Sequence, residues 1–359
     1  MVDFSLSEEQ SMLRDALQRF VADRYDVERR RSYRQGMAGF GAENWDMLAE
    51  LGLFALPLPE ADGGLGGGPR DVMTLMTEIG RGLVVEPVLS AILFCAPALA
   101  RHGNAMQRAE WLPTLTAGTA RWSLLLPDEG IGMACTPRAQ LSNGRLTIEP
   151  GFALDGAGCD AFLLVAMREG EPVLVALAAD TPGLVRRDVR LLDGSIAAWV
   201  EADGLAVAAD RIMPLGTTGL SELAADARFA AACEMLGIME RLLGDTLDHV
   251  RTRRQFGTEI GRFQTIQHRM ARLYLAVEQS RSLLLKATEE GAGRHKAIAA
   301  AKAFVGEAAI MLAHECVQFH GGMGITDELA IGHGHKRITL LSRLFGDARA
   351  ARRDYLAAA

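Results

Sequence analysis

Hydrophobic positions follow three successive patterns along the chain. Up to about residue 118 the repeat is helical. Met12, Leu13, Leu17, Phe20 and Val21 fall on one helical face, and Ser5 with Glu8 predicts a capping box at its start. Residues 44–69, NWDMLAELGLFALPLPEADGGLGGGP, read as a helix running into a Pro/Gly loop. DVMTLMTEIGRGLV (71–84) and AMQRAEWLPTLTAG (105–118) read as further helices. Near residue 120 the repeat shortens. RWSLLLP, RLTIEPGFAL, DAFLLVAM and PVLVALAAD are short apolar or alternating runs separated by turn signals such as SNG and EGEP. They predict a small antiparallel β region extending to about residue 216. From 217 the helical repeat returns in three or four long segments. Ile266, Met270, Leu273 and Val277 mark one face of the second. The alanine-rich stretch 296–318 is a strong helix former closed by the glycine turn HGGMG, and a last helix is expected over 336–357. The order is helices, sheet, helices: an α+β chain, mainly α, with expected domains 1–118, 119–216 and 217–359.

Composition narrows the classes. A chain of 359 residues with 49% hydrophobic content can bury a large core. The net charge of −7 and the lack of a basic stripe exclude a general nucleic-acid binder. MVDFSLSEEQ carries no basic-then-apolar leader pattern. The longest apolar run, 88–100, is too short to span a bilayer and contains Pro97, so no membrane is expected. The five cysteines stand singly, without a C-x-x-C pair. That pattern predicts a reducing, cytoplasmic setting and no metal framework.

Three motifs invite chemistry. GGLGGG (63–68) lacks the Lys-Ser/Thr of a phosphate loop and runs straight into Pro69, so it reads as a plain loop. HGHK (333–336) spaces its histidines two apart without a carboxylate or cysteine cluster, which reads as surface or interface histidines. RTRRQFGTEIGRFQTIQ (251–267) is the third. Its arginines can complement a helix C-terminus at about 0.3–1 kcal/mol each. They can also hold an anion, because a guanidinium fork suits a pyrophosphate at about 1.5–3 kcal/mol per charge-assisted bond. A nearby aromatic face can stack on a base, and a glutamine can bond a dinucleotide linker.

This segment closely resembles the Arg-x-x-Phe-Gly…Phe-Gln element of the acyl-CoA dehydrogenases. FSLSEEQSMLRDALQRFVADR, LAELGLFALPLPEADGGLGG and QFHGGMGIT (318–326) resemble three further elements of that family, so the likeness spans nearly the whole chain. It implies an N-terminal helical domain, a middle antiparallel β domain and a C-terminal four-helix bundle. It also implies non-covalent FAD and α,β-dehydrogenation of an acyl-CoA thioester. The matching FAD positions are Arg253, Phe256, Gln264, Gln318, Gly321 and Gly322. Arg253 then takes the pyrophosphate, and the helix-end reading remains for Arg251 and Arg254.

The departures are as informative. The family's Thr-Glu-Pro…Gly-Ser-Asp segment survives only in fragments in SLLLPDEGIGMACTP (123–137). Its Trp-Ile-Thr element, which packs on the flavin, corresponds to GFALDGAG (151–158), without tryptophan or hydroxyl. The two usual positions of the catalytic glutamate hold Phe345 and Ala227, although the neighbouring Arg228 matches the family. A positioned base contributes typically about 10²–10⁴-fold, and neither residue can act as one. Asp226, one residue away and about 100° around a helix, and Asp347 are the remaining carboxylates.

The losses and survivals divide by role: elements serving the chain's own flavin ring and base are gone, and elements serving a neighbour's FAD are kept. The resemblance therefore implies the small subunit of an α2β2 enzyme with a large acyl-CoA dehydrogenase-like partner. KRITLLSRLFGDARAARRDYL and DRYDVERRRSYRQ resemble the small subunit of pimeloyl-CoA dehydrogenases. The implied acceptor is electron-transfer flavoprotein. Two alternatives stay open: a self-sufficient homo-oligomer using Asp226 as base, and a non-catalytic protein for assembly or acyl-CoA binding.

Overall fold

The computed structural model describes residues 5–126 and 139–357. Six helices come first: α1 (Glu8–Arg24), α2 (Val27–Gln35), α3 (Ala42–Glu50), α4 (Pro69–Gly82), α5 (Ala96–His102) and α6 (Ala105–Thr116). The capping box of α1 is formed by Ser7 and Gln10, not Ser5 and Glu8. Both pairs have the right spacing, but only Ser7 lies just before the first turn, where its hydroxyl accepts from the Gln10 N–H. Pro69 opens α4 at its first turn, where no N–H is needed, and the GGLGGG stretch is the loop leading into it. The apolar run at 88–100 is wholly buried, as π-helical turns at Val88–Cys95 continuing into α5.

Eight strands follow among the described residues: β1 (Trp122–Leu126), β2 (Ala139–Ser142), β3 (Arg145–Ala153), β4 (Ala161–Arg168), β5 (Glu171–Ala178), β6 (Val185–Arg190), β7 (Ile196–Ala206) and β8 (Ile212–Pro214). They form one sheet in the order β6-β7-β3-β1-β4-β5-β8, with β2 pairing β3 and β4. Its pairings are antiparallel except β1 with β4 and β2 with β4. One face packs on the helices and the other closes a second core around Phe162, Leu164 and Val200.

The chain then enters α7 (Gly216–Thr252), a short hairpin of β9 (Arg254–Gln255) and β10 (Thr258–Glu259), and α8 (Gln264–Ala287), α9 (Arg294–His320), α10 (Ala330–Leu341) and α11 (Ala348–Ala357). Met270, Leu273 and Val277 are buried on the α8 face expected from their spacing. The single last helix expected over 336–357 is instead two, α10 and α11. Phe345 and Gly346 take left-handed φ values of 60° and 95°, which no helix continues through. Asp347 restarts the chain by accepting the Ala350 N–H. By length and composition α9 with its following turn can cross a membrane, but it is packed among α7, α8, α10 and α11 as a core helix.

Two close contacts join the layers. α4 crosses α7 at backbone distance: a Cβ on Gly237 would lie 1.8 Å from the Thr77 carbonyl, and one on Gly80 would lie 2.1 Å from the Glu234 carbonyl. At the next turns Arg337 of α10 donates to both oxygens of Glu234 at 2.6 and 3.1 Å and to Asp193 at 3.0 Å. Arg34 of α2 reaches the same Asp193 at 3.5 Å.

Gly237→Ala is expected to cost at least the ~1–3 kcal/mol typical of an over-packed core, read from urea unfolding; an unchanged midpoint would show that the crossing can open freely. A second prediction concerns Lys302. It is fully buried, donates to the Leu341 carbonyl at 2.6 Å, and is held down to about 7 by burial and by Arg228. The unfolded chain keeps that lysine charged up to about 10.4. Between those values the unfolded state binds more protons, so this group makes stability rise with pH, by up to ~1.4 kcal/mol per unit. Lys302→Met should be most stabilising at pH 7, with its advantage shrinking toward pH 9. A constant difference across that range would refute the assignment.

Candidate functional site

The antiparallel run of α7, α8 and α9 brings the C-terminus of α7, the N-terminus of α8 and the C-terminus of α9 to one end of the bundle. Arg253, Gln264 and Gln318 stand there, on three different helix ends. The His249 and His320 rings stack at 4.2 Å and tie the ends of α7 and α9 together. Arg269 reinforces the join, over the Phe319 ring at 4.4 Å and bonded to Glu315 at 2.6 Å. Sequence reasoning missed these clamps, because their members are far apart in the chain.

Arg253 caps α7 in an extended conformation. Its neighbours are neutralised: Arg251 by Asp248 at 3.7 Å, and Arg254 and Arg262 both by Glu259 at 2.8 Å. Among the described residues Arg253 has no carboxylate partner. Arg251 does lie in the last helical turn, as the helix-end reading expects; Arg254 does not, because the chain has already turned into β9.

The hairpin turn carries a second anomaly. Phe256 and Gly257 have φ of 53° and 82°, the geometry of a tight hairpin turn that favours Asn-Gly. A bulky aromatic there is strained, at a cost on the order of 1–3 kcal/mol. No burial offsets it: Phe256 is 91% exposed, with only an edge contact to Phe263 at 6.2 Å between centroids.

The glycine loop after α9 shows a third. Gly321 adopts φ 62°, ψ −141°, which is open essentially to glycine alone. Gly324 must be small because a Cβ would sit 2.8 Å from the Val317 carbonyl. Gly322 has no such internal reason, since a Cβ on it would meet nothing within 4 Å. Its bare backbone faces open space.

The centre of the chain is different. Ala227 and Phe345 are fully packed in the main core. Arg228 donates to the Phe345 carbonyl at 2.6 Å and pairs with Asp354 at 2.5 Å, so it anchors the 342–347 turn. Asp347 is the N-cap of α11. Asp226 lines a cavity of ≈ 340 Å³ between α7, α5 and the loop before α4. Its two oxygens are taken by Arg101 at 2.5 Å and Arg294 at 2.9 Å. A base at that place would have to leave two cations before taking a proton.

Most of SLLLPDEGIGMACTP lies outside the described residues. GFALDGAG forms the end of β3 and the following turn. Its Asp155 faces Arg337 and Arg34, within the buried network of Asp193 and Glu234. Among the described residues no His/Cys/Asp/Glu group is arranged to hold a metal. In HGHK, His333 is buried against Arg30, while His335 sits beside His314 with ring centroids 5.1 Å apart.

Comparison with known proteins fits this architecture. The family model described as acyl-CoA dehydrogenase, N-terminal domain matches residues 7–119, and the one described as acyl-CoA dehydrogenase, C-terminal domain matches residues 216–358. The chain belongs to the acyl-CoA dehydrogenase family, oxidoreductases acting on acyl-CoA. It is 29% identical to acyl-CoA dehydrogenase IpdE2 of Mycobacterium tuberculosis, over 89% of this chain and 88% of that one. It is 26% identical to the probable acyl-CoA dehydrogenase YngJ of Bacillus subtilis, over 92% of each chain. The solved structure named as the Tcur3481-Tcur3483 steroid ACAD is similar at TM-score 0.90 and 28% identity, covering 99% of this chain and 98% of that chain.

Asp226→Asn is expected to lower stability by about 1–2 kcal/mol, the scale of a partly buried charge-assisted pair. In the assembled enzyme it should leave acyl-CoA oxidation within about twofold, far from the about 10²–10⁴ of a lost base. A hundredfold fall in turnover with an artificial electron acceptor would restore Asp226 as the base.

Proposed function

We propose that this chain is the small, non-basic subunit of a heteromeric acyl-CoA dehydrogenase, assembled as α2β2 with a larger dehydrogenase-like subunit. In this reading Arg253 bonds the pyrophosphate of FAD and Phe256 packs on its adenine end. Gln264 and Gln318 bond the linker, and the Gly321–Gly322 backbone approaches it closely. FAD, when bound, supplies the hydride acceptor for α,β-dehydrogenation, and the partner supplies the base and the ring contacts. Electron-transfer flavoprotein is the proposed electron acceptor.

The observation that carries the proposal is the contrast between the two regions. At the bundle end an unpaired guanidinium, a strained exposed aromatic and bare glycine backbone stand together. Each is costly or unexplained within the chain, and a dinucleotide on that surface accounts for all three. At the centre, the positions for a base and a ring contact are hydrocarbon or salt-bridged.

The steroid ACAD with two chain names supports a paired assembly and makes a steroid side-chain thioester one candidate substrate. The self-sufficient alternative is weakened by the double pairing of Asp226. A reducing, cytoplasmic setting is part of the same proposal, supported by four described cysteines that are all buried and free.

Co-expression with candidate large subunits tests the proposal. One FAD per pair is expected, and Arg253→Ala should weaken FAD retention by about 10–100-fold without unfolding the pair. Full flavin and turnover in the isolated chain would overturn the subunit reading. A colourless complex would favour the non-catalytic assembly reading.

A further inference from the structure

We propose that the cavity between α2, the β6–β7 turn and α10 binds a phosphoryl-type oxyanion, either a free diphosphate or the diphosphate of a small nucleotide. The cavity measures ≈ 390 Å³, and none of the residues proposed for FAD lines it. Five cations face it: Arg30, Arg31 and Arg34 from α2, Arg190 from the end of β6, and Lys336 from α10. Among the described residues two carboxylates line it, and both are engaged. Asp193 is buried and taken by Arg34, Arg337 and Ser195. Asp327 takes Lys336 at 2.9 Å.

Among the described residues, Arg30, Arg31 and Arg190 therefore have no carboxylate at ion-pair distance, although Asp193 acts on Arg30 and Asp327 on Arg31 at longer range. Arg30 donates to the Leu83 carbonyl at 3.0 Å and to Nδ1 of His333 at 2.8 Å. His333 in turn bonds the Asp327 carbonyl through Nε2 at 3.1 Å, so it meets Arg30 as a neutral acceptor and supplies no negative charge. Arg190 donates to the backbone carbonyls of Arg34 and Gly194. Arg34 is only 8% exposed, and its Nε is buried without a partner. Burial, with the repulsion of Arg34 and Arg337 only partly offset by Asp193, lowers Arg30 to about 9.

Guanidiniums held this close repel one another, and a multiply charged oxyanion relieves the repulsion while accepting from several forks at once. The ligand class follows from the rest of the lining. Among the described residues no aromatic besides the buried His333 ring faces the cavity, and its apolar part is Leu191 and Leu192. The site can grip a charged group but offers no platform for a base, so the phosphates are what it recognises.

Isothermal titration of the full chain, in whatever assembly it purifies, with inorganic pyrophosphate is the test. Sodium chloride at equal ionic strength serves as the reference. One site per chain is expected, with a raised melting temperature relative to the chloride reference. Arg31 is half-buried and Arg190 exposed, so Arg31→Gln with Arg190→Gln should fold. The pair of substitutions should weaken binding at least about tenfold per arginine removed, while Arg253→Ala leaves it unchanged. Tighter binding of ADP than of pyrophosphate assigns the site to a nucleotide; equal binding assigns it to the diphosphate alone. No stabilisation beyond chloride, or a double variant that binds as well as the parent, overturns the proposal.

Discussion

The crossing of α4 and α7 is the constraint on which the remaining geometry depends. Two glycines, Gly80 and Gly237, each face a carbonyl of the opposite helix, so neither tolerates a side chain. The helices meet backbone to backbone, and the first helical block is fixed against the bundle at one rotation and one height. Glu234 lies at that contact: its carbonyl faces Gly80 and its carboxylate faces Arg337. Once the crossing is set, the position of α10 follows from a bidentate bond. The position of the β6–β7 turn follows from Asp193 on the same guanidinium.

That buried network does something hydrophobic packing does not. Breaking one member of a buried pair strands the other charge at a cost of about 3–5 kcal/mol, so its partners tolerate little displacement. Arg34, Asp193, Glu234 and Arg337 come from α2, the β6–β7 turn, α7 and α10. Four elements far apart in sequence are thereby held at one point. The cation-rich cavity lies beside it: Asp193 pairs with Arg34 and Arg337, which leaves Arg30 and Arg31 with no carboxylate at ion-pair distance among the described residues.

Much of the architecture was legible from periodicity. Leu17 and Phe20 are buried where the α1 pattern places them, as are Met270, Leu273 and Val277 in α8. What failed was local competition and long-range pairing. Ser5 and Ser7 both offer a capping box, and composition does not choose between them; the position of the first turn does. The break at Phe345–Gly346 was hidden because an apolar residue before a glycine fits a helix pattern until its φ is known. Asp226 is separated by 125 and 68 residues from the arginines that bind it, and no spacing rule reaches that far. The clustering at the bundle end, by contrast, was readable because its candidate residues sit in two short segments that the helix directions bring together.

The two regions also differ in how they handle cost. A folded chain leaves few strained or unpaired groups unless something outside the chain uses them. At the bundle end Phe256 and Arg253 are such groups, and both face outward. At the centre the comparable positions are well packed: Phe345 is buried with its carbonyl bonded by Arg228, and Ala227 is enclosed in the core. A carboxylate at Phe345 would be enclosed in the main core, where burial raises its proton affinity. Asp226 has space beside it but not freedom, because two guanidiniums hold both oxygens. The centre is thus packed or paired within the chain, while the outer surface keeps an exposed strained aromatic and, among the described residues, a guanidinium without a carboxylate, which the proposed dinucleotide would offset.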